Sequence, residues 1–155
     1  MLQAVTSTDA RCLTSLTSLA YGTDVHGLAL PLHEGVGFAV PMLTFPNGVT
    51  MSQTPYILLE LGDEFGLAGT TAQEKMKVKQ CLGDLTDVFS ETMAGTFKEK
   101  PERQDKWLSL LESRVAGSGF FVGDDLTVTD FYACFVFLWL GAKEVTYLTF
   151  PGLTK

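Results

Sequence analysis

The chain has 155 residues, of which 46% are hydrophobic and 19% charged, a composition that supports one domain or two small ones with a real core and excludes a disordered polymer. A formal net charge of −7 without a basic patch excludes nucleic acid and anionic lipid as natural partners. The longest uncharged apolar run, Phe131 to Leu140, has about half the residues that a bilayer-spanning helix needs, so no membrane-spanning segment is expected.

In chain order, Leu2 to Val5 reads as a short strand and Thr6-Ser7-Thr8-Asp9 as a helix start, with hydroxyls for capping and an early acid. The helix that follows sets Cys12, Leu13, Leu16, Leu19 and Ala20 on one face, and Gly22 stops it. Val25 to Leu32 has a weaker strand pattern. It carries His26, and His33 follows in a loop; with no third ligand in a recognisable pattern, surface histidines fit better than a metal site, and no metal is expected. From Phe38 to Ser52 the pattern is a hairpin, with Val40 to Phe45 and Val49 to Ser52 flanking a Pro46-Asn47-Gly48 turn. A helix then starts at about Gln53, with Pro55 in its first turn where a missing N–H costs nothing. It runs through Ile57, Leu58 and Leu61 to Phe65, and Gly66 ends it.

Gly66 to Thr71 interrupts both periodicities and reads as a linker, dividing the chain into a mixed α/β region over 1–69 and an all-helical region over 70–155. A long helix from about Thr71 to Ala94 sets Met76, Cys81, Leu82, Leu85, Val88, Phe89 and Met93 on its apolar face. Lys75, Lys77, Lys79, Asp84 and Glu91 occupy the other, solvated face. Pro101 opens a helix in which Trp107, Leu108, Leu111 and Val115 recur at helical spacing, and Gly117-Ser118-Gly119 closes it. Thr127 and Asp130 then stand three apart before an apolar run, the spacing of a capping box, with Leu126 and Phe131 placed to form a hydrophobic staple. Phe131 to Leu140 carries no charge on any face and is expected to be buried on all sides, as the central helix of its domain. Three cysteines, Cys12, Cys81 and Cys134, are odd in number, far apart and within expected helices. Buried reduced thiols suit them better than a disulfide framework, which points to the cytoplasm or another reducing compartment. The N-terminus lacks the pattern of a secretory signal, and an organelle is expected only if a presequence has been removed.

An α/β unit followed near residue 70 by a helical unit resembles the glutathione transferase superfamily, and several stretches carry the resemblance in order. Val40-Pro41 before the hairpin is similar to the family's thioredoxin-like cis-proline, which implies that the main chain of Val40 pairs with the backbone of glutathione. Gln53-Thr54 sits where the family has Gln-Ser or Glu-Ser. Helix-terminal amides with a hydroxyl suit the γ-glutamyl carboxylate. Leu61-Gly62-Asp63-Glu64-Phe65-Gly66-Leu67 is similar to the family's leucine-rich helix ending, and Asp87 falls where many members place an aspartate reaching the same γ-glutamyl group. Phe120-Phe121-Val122-Gly123-Asp124 through Asp130 resembles the family's helix-capping signature. The fold so implied is a thioredoxin-like N-terminal domain plus an all-α helical-bundle C-terminal domain, with glutathione as ligand or substrate and a homodimer as the default assembly.

The chain also departs from the family pattern. Its second helix is shortened, and it stops at Lys155, soon after Phe150-Pro151-Gly152-Leu153, where the family continues into further helices; the resemblance therefore implies an incomplete glutathione transferase fold. The family's sulfur-activating tyrosine position aligns with Val5. Ser7 is the catalytic candidate by type and position, and a helix N-cap is its other reading. Arg11 aligns with a family arginine that could meet the glycine carboxylate of glutathione, or it is a solvated helix residue. Two functions follow. One is a glutathione transferase that binds glutathione through Val40, Pro41, Gln53, Thr54, Asp87 and Arg11 and directs its thiolate at hydrophobic electrophiles; the other is a non-catalytic subunit of a larger protein assembly.

Overall fold

Pro46-Asn47-Gly48 reverses the chain between two short antiparallel strands, β1 (Met42–Thr44) and β2 (Thr50–Ser52). The Gly48 amide donates to the Phe45 carbonyl at 2.9 Å and the Phe45 amide to the Val49 carbonyl at 2.8 Å, while Gly48 takes φ +84. This is a three-residue turn closed by a left-handed glycine, the arrangement that Pro-Asn-Gly suits because proline presets the first turn residue. Met42 lies opposite Ser52, Leu43 opposite Met51 and Thr44 opposite Thr50. The strands are shorter than expected, since residues 45 and 49 belong to the turn.

The hairpin comes from a computed structural model that describes residues 41–115 and 117–140. The strands and helix expected before Val40, with Ser7, Arg11, Val40, Cys12 and both histidines, lie outside the described residues. The chain parts into two compact units, Met1–Ile57 and Leu58–Lys155.

Helix α1 (Thr54–Phe65) ends where the Leu67 amide donates back to the Gly62 carbonyl at 2.7 Å, a closure that turns the chain sharply out of the helix. The helical unit continues with α2 (Ala72–Met93), the one-turn α3 (Thr96–Glu99), α4 (Pro101–Val115) and α5 (Val128–Leu140). The α3 turn follows Gly95 and was not expected from the periodicity, being too short to show one. Val78, Leu82, Leu85 and Val88 of α2, Leu108 and Leu111 of α4, and Val136 of α5 are fully buried, and α2 packs chiefly on α5.

Thr71 caps α2 with a complete capping box: its hydroxyl accepts from the Glu74 amide at 3.1 Å, and the Glu74 carboxylate accepts from the Thr71 amide at 2.9 Å. The same carboxylate accepts from the hydroxyl and amide of Thr70, at 2.6 and 2.8 Å. Gly69 makes room for this cluster, because a Cβ there would stand 2.7 Å from Glu74 Cβ and its φ is +87. The Thr70 hydroxyl first, then the backbone amides, hold Glu74 at about 2 against an ordinary 4.5. A folded value below the unfolded one means that this stabilisation is complete above the unfolded pKa and is lost as pH falls from about 4.5 toward 2. Glu74→Gln is expected to flatten that acid limb in a pH series of thermal melts; an unchanged slope would contradict the assignment.

Several expected positions are corrected. Met76 and Met93, expected on the apolar face of α2, are 71% and 49% exposed. Asp84, expected in solvent, is buried: its Oδ1 accepts from Gln80 at 2.9 Å and its Oδ2 pairs with Arg114 of α4. Arg114 also donates to Cys81 Sγ at 3.4 Å. Burial pushes the Cys81 thiol up and Arg114 only partly offsets it, which makes Cys81 a packed, unreactive thiol. Helix α5 is not buried all round, since Cys134 is exposed and Leu138 and Trp139 are 62% and 51% exposed. Its inner face, with Tyr132, Ala133, Phe135 and Val136, carries the packing.

Candidate functional site

Ser52 ends β2 and Thr54 begins α1, so a single residue, Gln53, must turn the chain from strand into helix. It does so at φ +76, and among the described residues it is the only non-glycine with a positive φ. A residue with a Cβ held there costs roughly 1–2 kcal/mol, a strain that other interactions must compensate. The Gln53 carbonyl accepts from the amides of Tyr56 and Ile57, both at 3.1 Å, and so closes the first turn. Pro55 has no amide hydrogen. The first turn therefore offers a ligand the amide and hydroxyl of Thr54, beside the exposed Gln53 side chain, rather than positions 55 to 57.

A third expected residue adjoins the strand register. Met42 pairs with Ser52 as the last pair of the ladder, so Pro41 and Gln53 are the residues that flank the open end of the hairpin in sequence. Pro41 is buried, Thr54 half-buried and Gln53 exposed. A carboxylate placed against Thr54 would meet a helix N-terminus and a hydroxyl donor, the combination that suits an anion without any lysine or arginine.

Asp87 lies on α2 in the other unit, exposed, and close enough to Arg103 to help raise that guanidinium's pKa behind the larger effect of Glu91. Thr127 and Asp130 sit together at the start of α5, but the reciprocal box is only half formed. The Asp130 carboxylate accepts from the Thr127 amide at 2.8 Å as expected, whereas the Thr127 hydroxyl donates to that carboxylate at 2.8 Å instead of accepting from the Asp130 amide. The Asp130 amide turns to the Thr127 carbonyl at 3.2 Å. The second carboxylate oxygen accepts from the Phe121 amide at 2.9 Å, fixing the preceding loop, and Leu126 is 37% exposed. These two residues hold the scaffold.

Residues 68–155, more than half of the chain, match the family model of the glutathione S-transferase C-terminal domain. The chain belongs to the glutathione transferase superfamily. No curated protein matches it. The matched segment begins at Ala68 and takes in α2 to α5, so the all-helical region of this glutathione transferase relative is the family's C-terminal domain, and the hairpin with the start of α1 fits the thioredoxin-like half. Among its described residues no helix is long and apolar enough to cross a membrane, and no group of three or more His, Cys, Asp or Glu could hold a metal ion.

The capping box at Thr71 has a sequence signal, Thr-x-x-Glu, at the end of the glycine-containing stretch that reads as linker. The strained turn at Gln53 had a subtler signal: strand residues run to Ser52 and a first-turn proline stands at Pro55, leaving almost no chain to make the corner.

Proposed function

We propose that this protein binds glutathione at the open end of the hairpin, with the Thr54 amide and hydroxyl and the Gln53 side chain taking the γ-glutamyl end and the Val40 main chain pairing with the peptide. The observation that carries this reading is the positive φ of Gln53, a strained conformation at the residue that aims the helix N-terminus. The chemistry proposed for the bound thiol is nucleophilic. Its proton passes to a neighbouring base or water, the thiolate sulfur bonds to an electrophilic carbon, and the electron pair moves onto the acceptor or a leaving group. Ser7 is the proposed hydroxyl that stabilises the thiolate.

Strain and function can be separated at one position. Gln53→Gly removes the Cβ penalty, so the protein is expected to gain about 1 kcal/mol in chemical denaturation, while retention on immobilised glutathione falls by about tenfold or more as the amide side chain is lost. Gained stability with unchanged retention would remove Gln53 from the site. A second reading, a non-catalytic subunit of a protein assembly, draws on the exposed Leu138 and Trp139 of α5. Turnover of an electrophile in the presence of glutathione, abolished by Ser7→Ala, would exclude it.

A further inference from the structure

Asn47 is the chain's one asparagine, and Gly48 follows it at the tip of the hairpin. Pro46, Asn47, Gly48 and Val49 are all exposed, so water and hydroxide reach the turn. An asparagine side chain is a weak electrophile: the main-chain nitrogen of the next residue can attack its amide carbon and close a cyclic imide. A side chain on that next residue hinders the attack, and glycine has none. The φ of +84 at Gly48 reserves the position for glycine, and a Cβ built there would meet nothing within 4 Å, so no neighbour shields the nitrogen on that side. The Val49 amide donates to Asn47 Oδ1 at 3.0 Å. Negative charge develops on that oxygen when the amide carbon becomes tetrahedral, so a backbone N–H already points at the developing oxyanion. The Gly48 amide opposes the reaction by donating to the Phe45 carbonyl at 2.9 Å, a bond it must leave to lose its proton. In an exposed turn one such bond slows the attack by no more than about tenfold.

We infer that Asn47 is a self-modification site, converted through a cyclic imide to isoaspartate and aspartate. Hydroxide takes the Gly48 amide proton and the nitrogen bonds to Asn47 Cγ. The bond from Cγ to Nδ2 then breaks, and the side-chain nitrogen takes a proton from water and leaves as ammonia. Water next adds to one of the two imide carbonyls. Cleavage between Gly48 N and Cγ gives aspartate; cleavage between Gly48 N and the Asn47 main-chain carbon gives isoaspartate, whose main chain runs through Cβ and Cγ. Water is consumed and ammonia released, and nothing is oxidised or reduced. Either product adds a negative charge to a chain whose formal charge is already −7. Isoaspartate alone lengthens the main chain, by a methylene inside the turn. Strands β1 and β2 have 3 residues each, so few ladder bonds hold the register when the turn changes length. The bond from the Phe45 amide to the Val49 carbonyl, at 2.8 Å, closes the turn and is the first that the longer chain disrupts.

Ageing the full chain at mildly alkaline pH tests the inference, with a free peptide of residues 44–50 in the same buffer as the reference. The intact mass should rise by the exchange of an amide for an acid, peptide mapping should place the change at Asn47, and an isoaspartate-specific methyltransferase should label the aged protein. The rate is expected within about tenfold of the peptide's. No aspartate in the chain precedes a glycine, so isoaspartate from an Asp-Gly pair does not confuse the label. Asn47→Ser should gain no mass and accept no methyl group. Hydrogen exchange separates added charge from added length: the aged protein should lose protection at the Phe45 amide, whereas freshly prepared Asn47→Asp, with the charge but not the extra methylene, should keep it. A protein that holds its mass while the peptide converts, a mass gain without methyl labelling, labelling of Asn47→Ser equal to the wild type, or equal protection in the aged protein and Asn47→Asp would each overturn the proposal.

Discussion

Asp130→Ala should lose about 3 kcal/mol of stability in the helical unit. One carboxylate there accepts from the Thr127 amide, the Thr127 hydroxyl and the Phe121 amide, at 2.8, 2.8 and 2.9 Å. Thr127 and Phe121 are 3% and 9% exposed, so water does not readily replace the lost oxygens. An unsatisfied buried donor costs about 1–3 kcal/mol, and partial relaxation of the loop before α5 brings the sum to the stated figure. The measurement is the shift in denaturation midpoint, with hydrogen exchange at Phe121 and Thr127 as the local readout. Asp130→Asn keeps one acceptor oxygen and should lose about half as much. A loss below about 1 kcal/mol for the alanine variant, with both amides still protected, would contradict this role.

Arg114→Leu is expected to cost about 2–4 kcal/mol, for a different reason. Asp84 is buried on α2 and its Oδ2 has Arg114 as its ion-pair partner, with side chains 12% and 23% exposed. Desolvation opposes the arginine's charge, yet the hydrogen bond to Asp84 and the nearby Cys81 and Asp84 charges outweigh it, and the guanidinium pKa is raised. Removing one member of such a pair leaves the other buried without compensation, and breaking a fully buried pair costs about 3–5 kcal/mol; the exposed fifth of Arg114 lowers the expectation slightly. Replacing both, Arg114→Leu with Asp84→Leu, should recover most of the loss, because two apolar groups of similar volume need no partner. If the double variant were as unstable as the single one, packing of the arginine stem, rather than the stranded carboxylate, would be the cause.

Much of the fold was legible because the governing signals are local. Pro-Asn-Gly marks the hairpin, Pro55 and Pro101 mark helix starts, and the Leu82, Leu85 and Val88 spacing marks the buried face of α2. What escaped depends on contacts distant in sequence. Asp84 looks like a surface acid until Arg114, thirty residues later, is placed beside it, and Met76 looks like core until the packing partner of α2 proves to lie on its other side. For α5 the apolar run is genuine, but amino-acid type alone does not say how many neighbours surround a helix, and Cys134, Leu138 and Trp139 face outward. The half-formed box at Thr127 is a case of the same limit: spacing marked the two residues, while the hydroxyl's direction was set by the carboxylate that Phe121 and Thr127 share.

At the candidate site, the resemblance pointed to Pro41, Gln53 and Thr54 together, whereas the backbone strain that singles out Gln53 is a property of the corner and of no single residue type. Family membership rests on the helical region, and the ligand proposal rests on the hairpin and the start of α1.

Calorimetric titration of the full chain with glutathione tests the central proposal most directly. A saturable one-site heat, weakened by about tenfold or more in Gln53→Gly, is the predicted result. A titration with no saturable heat, in a protein whose circular dichroism shows the helical unit folded, would contradict glutathione binding at the hairpin end.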